Sequence, residues 1–128
     1  MSIRLLIADD HAVVRAGLRS MVAGSDIEII AEASDGTQAF ALAAERRPDV
    51  VLLDVRMPDT DGITCLGRLK TELPDLPVLM FSAYDNPTYI ARTVALGAAG
   101  YLIKTVDPQQ IVGAIRRVAT GEPIWSRE

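Results

Sequence analysis

Val50-Val51-Leu52-Leu53-Asp54 decides the fold: four apolar residues run without a polar break straight into a carboxylate. Three more short runs end in the same manner. Leu5-Leu6-Ile7-Ala8 leads into Asp9-Asp10, Val78-Leu79-Met80-Phe81 into Ser82, and Tyr101-Leu102-Ile103 into Lys104. A strand covered by helices on both faces is apolar throughout, whereas a half-exposed one alternates polar and apolar residues. With a further run after Ile27, the strands are expected near 3–9, 27–33, 49–54, 77–82 and 100–103. Helical patterns fill the gaps, so the chain reads as repeated βαβ units around a parallel sheet. In such a sheet the carboxyl ends of the strands share one edge, where ligands bind. The three carboxylates, the Ser82 hydroxyl and the Lys104 ammonium are therefore expected to converge there.

The helices are expected near 12–23, 36–47, 62–72, 87–96 and 108–120, and their ends carry supporting chemistry. Asp107-Pro108-Gln109-Gln110 combines an N-cap, a proline at the first helical position and a glutamine three residues past the cap. Asp35-Gly36-Thr37-Gln38 is a weaker version. Gly24, Gly97 and Gly121 each follow a helical stretch, where a left-handed residue commonly ends the helix. Val14, Leu18 and Met21, and again Ile111, Ile115 and Val118, recur at four and three residues and form core-facing stripes.

The 128 residues, 49% of them hydrophobic and 23% charged, suit one globular domain with a proper core. The 13 basic and 17 acidic side chains leave a net charge of −4, which argues against this domain itself gripping a phosphate backbone. No apolar stretch is long enough for a membrane span and the start reads directly into a strand, so a cytoplasmic protein without membrane contact is expected. Cys65 is the single cysteine, which removes disulfides and thiolate metal sites and leaves it as a small hydrophobe.

Asp9, Asp10 and Asp54 in one crevice repel each other by roughly 4 kcal/mol per pair at ~4 Å and an effective dielectric near 20. Either one carboxylate takes up a proton or a divalent cation sits among them. Carboxylates without a His or Cys cluster suit a hard cation, and Mg²⁺ is the first choice. A carboxylate beside Mg²⁺ is already ionised and needs no general base to accept a phosphoryl group. Asp54, at the end of a central strand, is the expected nucleophile. Asp9 and Asp10 are consecutive, so their side chains diverge and share the metal. Lys104 can place a point charge on the arriving phosphoryl group, and Ser82 can hydrogen-bond one of its oxygens. Singly each residue is more simply a turn, a cap or a solvated charge. Their recurrence at successive strand ends is what points to a site.

With these residues in place, the chain resembles the receiver domain of two-component response regulators over essentially its full length. The acidic pair is Asp9-Asp10, the phosphoacceptor segment runs from Asp54 through Val55-Arg56-Met57-Pro58-Asp59-Thr60-Asp61 to Gly62, the switch pair is Ser82 and Tyr101, and the lysine is Lys104. The stretches 9–18 and 96–104 resemble the NarL/FixJ (LuxR-type) subfamily. The resemblance implies a flavodoxin-like (βα)5 three-layer sandwich whose five-stranded parallel sheet has the order 2-1-3-4-5. It also implies Mg²⁺ on Asp10, Asp54 and the backbone carbonyl of Arg56, with Asp9 helping through water. Phosphate would come from a sensor histidine kinase onto Asp54, phosphorylation would favour a homodimer, and DNA would be reached only through a C-terminal helix-turn-helix domain outside this sequence. Residues 1–121 are then the receiver domain, and 122–128 its tail or the start of a linker. The domain would be a signalling switch and not an enzyme, apart from taking phosphate from small donors and slowly losing it.

Two positions depart from the family pattern. Thr105 follows Lys104 where many receivers have proline, which makes a cis bond there much less favourable. Ser82 stands where Thr is commoner, keeping the hydroxyl but dropping a methyl that stiffens the rotamer. His11 is read as a helix-start residue, since hard Mg²⁺ prefers oxygen. Met57, Pro58, Asp61 and Gly62 are read as loop-shaping residues without chemistry of their own. The Trp125 ring either packs back on the domain or awaits a partner. A stand-alone receiver acting by docking or phosphorelay is the alternative function. A haloacid-dehalogenase-like phosphatase is weaker, since that family has a second Asp where Arg56 stands. Nucleotide binding is weaker still, because neither phosphate-loop glycine motif occurs.

Overall fold

The computed structural model describes residues 2–122 and the backbone of 124–125. Its elements alternate along the chain as β1 (Ile3–Ala8), α1 (Ala12–Val22), β2 (Ile27–Ala33), α2 (Gly36–Arg46), β3 (Val50–Leu53), α3 (Gly62–Glu72), β4 (Val78–Ser82), α4 (Pro87–Ala95), β5 (Gly100–Ile103), α5 (Pro108–Ala119) and the two-residue β6 (Ile124–Trp125). All strands pair in parallel in the order β2-β1-β3-β4-β5-β6. The expected order of the first five strands holds, and β6 extends the sheet beyond β5. That extension falls within the stretch read as a tail. The side chain of Trp125 lies outside the described residues.

Successive residues of each inner strand face opposite layers. Leu6, Ala8, Val51, Leu53, Val78 and Met80 join one core with Leu66 and Leu69 of α3, while Leu5, Ile7, Val50, Leu52, Leu79 and Phe81 join the other with Leu18, Ile111 and Ile115. Two buried faces explain the unbroken apolar runs in the sequence. β2 departs from that pattern because it is an edge strand: Glu28 is exposed and Glu32 half-buried.

Helices α2 to α5 begin at side-chain caps. Asp107 and Gln110 form the reciprocal capping box, Asp35 accepts from the Gln38 N–H, Asp61 from the Thr64 N–H, and Asn86 from the Thr88 and Tyr89 N–H groups. Gly24, Gly97 and Gly121 all have positive φ, as their positions after helices require. α2 ends differently. Arg47 itself takes the left-handed conformation with φ 48°, which shortens the expected helix by one residue. The peptide bonds of the described residues are trans, including that before Thr105.

Candidate functional site

The parallel ladder runs one residue past the strands and so delivers the site. The Asp9 N–H donates to the Ala33 carbonyl (3.0 Å), the Asp54 N–H to the Ala8 carbonyl (2.9 Å), and the Lys104 N–H to the Ser82 carbonyl (2.7 Å). Asp9 and Asp54 thereby stand on adjacent strands, at the same height. Both are nearly inaccessible, at 2% and 4%. Asp10, one residue on, keeps 30% of its side chain exposed. The consecutive pair differs in burial, yet both carboxylates reach the same His11 ring nitrogen instead of parting.

Lys104 Nζ bridges the two buried carboxylates, 2.6 Å from Asp9 Oδ2 and 3.2 Å from Asp54 Oδ2. Repulsion among the acids is thus relieved in part by an ammonium, a solution absent from the sequence reading, which offered only a proton or a metal. Burial alone would lower the Lys104 pKa, but the bond to Asp9 and the attraction of Asp54 and Asp9 hold it above its ordinary value. One ammonium does not balance two buried carboxylates. Burial pushes the Asp54 carboxyl up from 3.8 to about 6, repulsion from Asp9 adds to this, and Lys104 and the Arg56 backbone N–H oppose it.

Ligand atoms of Asp9, Asp10, His11 and Asp54 all lie within 4.8 Å of one another. An oxygen-rich set with uncompensated negative charge fits a hard divalent cation better than a soft one. His11 occupies the N-cap position of α1, as read from sequence, yet its ring makes no cap bond. Instead its Nδ1 lies 3.2 Å from Asp9 Oδ1 and 3.1 Å from Asp10 Oδ1. It is a neighbour of the carboxylates as well as a helix start. Arg56, exposed, lines an open cleft of about 660 Å³ together with Asp10, Met57, Pro58, Tyr84 and Tyr89.

Ser82 and Tyr101 are both fully buried, so the Tyr101 ring is turned inward. One residue joins them. The Tyr84 N–H donates to Ser82 Oγ (3.0 Å), and the Tyr84 carbonyl accepts from the Tyr101 hydroxyl (2.7 Å). The Tyr84 ring, 46% exposed, lies under the Arg56 guanidinium at 5.3 Å and meets Tyr89 edge-on. Nothing in the sequence singled out Tyr84, because its link to the other two is through main-chain atoms.

Gly62 corrects a second reading. A Cβ at that position would lie 1.8 Å from the carbonyl oxygen of Asp54 and 2.8 Å from Val55 Cα. Its N–H also donates to the Val55 carbonyl at 2.8 Å. The glycine therefore lets α3 start flush against the backbone of Asp54, which is more than shaping a turn. Cys65 is buried, and burial pushes its thiol up to about 11, in keeping with its reading as a small hydrophobe.

Residues 5–116 match the family model for the response regulator receiver domain. Over 129 aligned residues the chain is 35% identical to the response regulator protein VraR of Staphylococcus aureus, and the match takes in all of this chain and 62% of that protein. The chain thus spans 62% of the length of this curated relative. Among solved structures it is similar to the signal receiver domain of the response regulator NarL from Mycobacterium tuberculosis, at 36% identity, 94% coverage of this chain, 98% of that one and a TM-score of 0.88. A two-component response regulator of the LuxR family from Aurantimonas sp. superposes with a TM-score of 0.91 at 28% identity, over 96% of this chain and 89% of that one.

Proposed function

Because the chain belongs to the response regulator receiver domain family, in its NarL/FixJ branch, we propose that Asp54 accepts phosphate from a sensor histidine kinase and that the charge so added switches the domain's output surface. The observation that carries this is the placement of Asp54: buried, crowded by Asp9, and within 3.2 Å of one balancing ammonium. A carboxylate oxygen of Asp54 attacks the phosphorus of a phosphohistidine, the P–N bond breaks, and the imidazole leaves with the bonding electrons. Lys104 offers its ammonium to the arriving oxygens, and the Ser82 hydroxyl donates to one of them. Mg²⁺, held by Asp10, Asp54 and the Arg56 carbonyl with Asp9 acting through water, would supply the positive charge that both the carboxylates and the phosphoryl oxygens need.

The switch follows from the Tyr84 linkage. Ser82 Oγ accepts from the Tyr84 N–H, and its own proton can turn from the neighbouring Tyr101 oxygen to a phosphoryl oxygen. Phosphate then strengthens the chain Ser82–Tyr84–Tyr101 and holds the Tyr101 ring inward, which reshapes the surface of α4, β5 and α5. Phosphate biases the equilibrium only by its differential interaction with the two states, and the coupling is a few kcal/mol at most. The domain acts in the cytoplasm as the receiver unit of a longer regulator that carries a DNA-binding domain, its sheet running on into β6 past the boundary expected at 121. The 62% span of its curated relative favours that arrangement over a stand-alone receiver.

Intact-mass analysis after incubation with acetyl phosphate tests the acceptor. One phosphate should be added with Mg²⁺, and none in excess EDTA or in Asp54→Asn. An adduct that persists in either condition sinks the assignment. For the switch, Ser82→Ala should still be phosphorylated but should no longer respond to a beryllofluoride phosphate mimic in light-scattering measurements of self-association. Tyr101→Ala should show a disturbed response with its phosphorylation intact, and wild-type responses from both variants would remove the coupling.

A further inference from the structure

The Asp9-Asp10 turn is held from outside the site by one long side chain. Arg15, on the second turn of α1, donates Nη1 to the Asp9 carbonyl oxygen at 2.6 Å and Nε to Glu32 Oε1 at 3.2 Å. Its side chain keeps only 20% of its exposure. Glu32 is in turn gripped by Arg19, whose Nη1 lies 2.6 Å from each carboxylate oxygen. A chain of charge-assisted bonds therefore runs from α1 through the edge strand β2 and back to the backbone of the acidic pair.

The Asp9 carbonyl belongs to the same rigid peptide plane as the Asp10 N–H, and that plane helps set how the two carboxylates stand relative to each other. Rotating it moves both carboxylates together. On the other side the Asp9 carboxylate bonds forward to the His11 N–H at 2.8 Å, so the turn is clamped at both the side chain and the carbonyl. The guanidinium holds its Nε–H and Nη1–H in a fixed planar fork, one aimed at the carboxylate and the other at the carbonyl, and the single flexible ammonium of a lysine at position 15 would hold neither acceptor in that fixed geometry.

We infer that Arg15, oriented by Glu32, is a positioning residue that sets the geometry, and hence the divalent-cation affinity, of the Asp9-Asp10 pair. This rests on the cation reading of the site proposed above. It also makes a prediction of distinctive sign. Deleting a nearby cation by electrostatics alone should tighten Mg²⁺ binding. Losing a positioning group should weaken it, and outer partners of metal ligands typically contribute about tenfold or more in affinity.

Calorimetric titration of the full chain with Mg²⁺ separates the two. Arg15→Ala should bind about tenfold more weakly than wild type, Arg15→Lys should recover part of that, and Glu32→Gln should lose about threefold. Arg19→Ala removes an equal charge from the same cluster while sparing the Arg15 bonds, and should stay within about twofold of wild type. The double variant Arg15→Ala/Glu32→Gln should match Arg15→Ala alone, since both act through one bond. Phosphorylation of Arg15→Ala by acetyl phosphate should be slow at low Mg²⁺ and recover when the ion is raised. Thermal melting without metal checks the fold, and if Arg15→Ala does not fold, Arg15→Lys, which keeps the charge and loses the fork, decides by binding more weakly than wild type. Wild-type or tighter affinity in Arg15→Ala, or an equal loss in Arg19→Ala, overturns the inference. A wild-type chain that binds no Mg²⁺ overturns the functional reading itself, and this one with it.

Discussion

The two edges of the sheet carry similar residue types and opposite electrostatics. At the amino edge Arg4 donates its guanidinium to the Arg46 and Arg47 carbonyls at 2.7 Å each, and its N–H to the exposed Asp49 carboxylate at 2.8 Å. Lys70 is likewise spent on the Pro74 and Leu76 carbonyls. At the carboxyl edge two carboxylates are buried against a single ammonium. Both edges have a cleft of several hundred cubic ångströms, about 400 Å³ at the amino edge and 660 Å³ at the other, so concavity does not tell them apart. What differs is whether charge is exposed and bonded to main-chain groups or buried with too few countercharges. Unmatched buried charge costs stability, and a protein keeps it where a ligand or a reaction makes use of it.

The largest effect should come from removing the one balancing group. Lys104→Met leaves Asp9 and Asp54 buried without a partner and should lower metal-free stability at neutral pH by about 3 kcal/mol. Denaturant titrations should find that loss fading as pH falls and the carboxylates take up protons. A loss that does not change with pH would mean that Lys104 matters for packing and not for charge.

Asp54→Asn should move stability the other way. The folded pKa of about 6 lies above the ordinary 3.8, so the carboxyl contributes nothing below 3.8 and costs stability as pH rises through 6. Above that window the cost is about 3 kcal/mol, and the asparagine variant should be more stable than wild type without metal by an amount approaching it. Equal stability at neutral pH in urea titrations would show that the buried charges are better compensated than their surroundings indicate.

Gly62→Ala should cost about 1–3 kcal/mol, since its methyl group meets the Asp54 backbone. It should also slow phosphorylation in the folded fraction. Gly67→Ala on the same helix, where the nearest atom to the added carbon is 4.0 Å away, is the matched control and should be neutral or slightly stabilising. At the amino edge Asp49→Asn should change stability by less than about 1 kcal/mol, because an amide oxygen still accepts the Arg4 N–H and water screens the rest. A larger loss there would erase the contrast between the edges.

The carboxyl edge was largely legible in the sequence, for a physical reason, and the amino edge was not. Strand period and burial leave a strong imprint on residue type, so Asp54 and Lys104 could be placed at strand ends from apolar runs alone. Caps imprint equally well, as Asp107 and Gln110 show. What escaped is carried by main-chain atoms or by close approach. The roles of Tyr84 and Arg15 depend on carbonyl and N–H groups that every residue owns, and Gly62 matters through a contact between segments eight residues apart. Lys104 was given a role toward phosphate, but its pairing with Asp9 needed the registers of β5 against β4, β4 against β3 and β3 against β1. The inward Tyr101 ring is set by the surrounding fold and not by residue type, since an aromatic with a polar tip suits either side of a cleft.

The proposed carrier of phosphate is the undercompensated Asp54 carboxylate at the carboxyl edge. Borohydride reduces an aspartyl phosphate to homoserine, which marks the acceptor permanently. After incubation with acetyl phosphate and Mg²⁺, peptide mass mapping of the reduced chain should find homoserine at position 54 alone. Homoserine at Asp9, Asp10, Asp59 or Asp61, or its absence from position 54 in a chain whose intact mass shows added phosphate, would contradict the account.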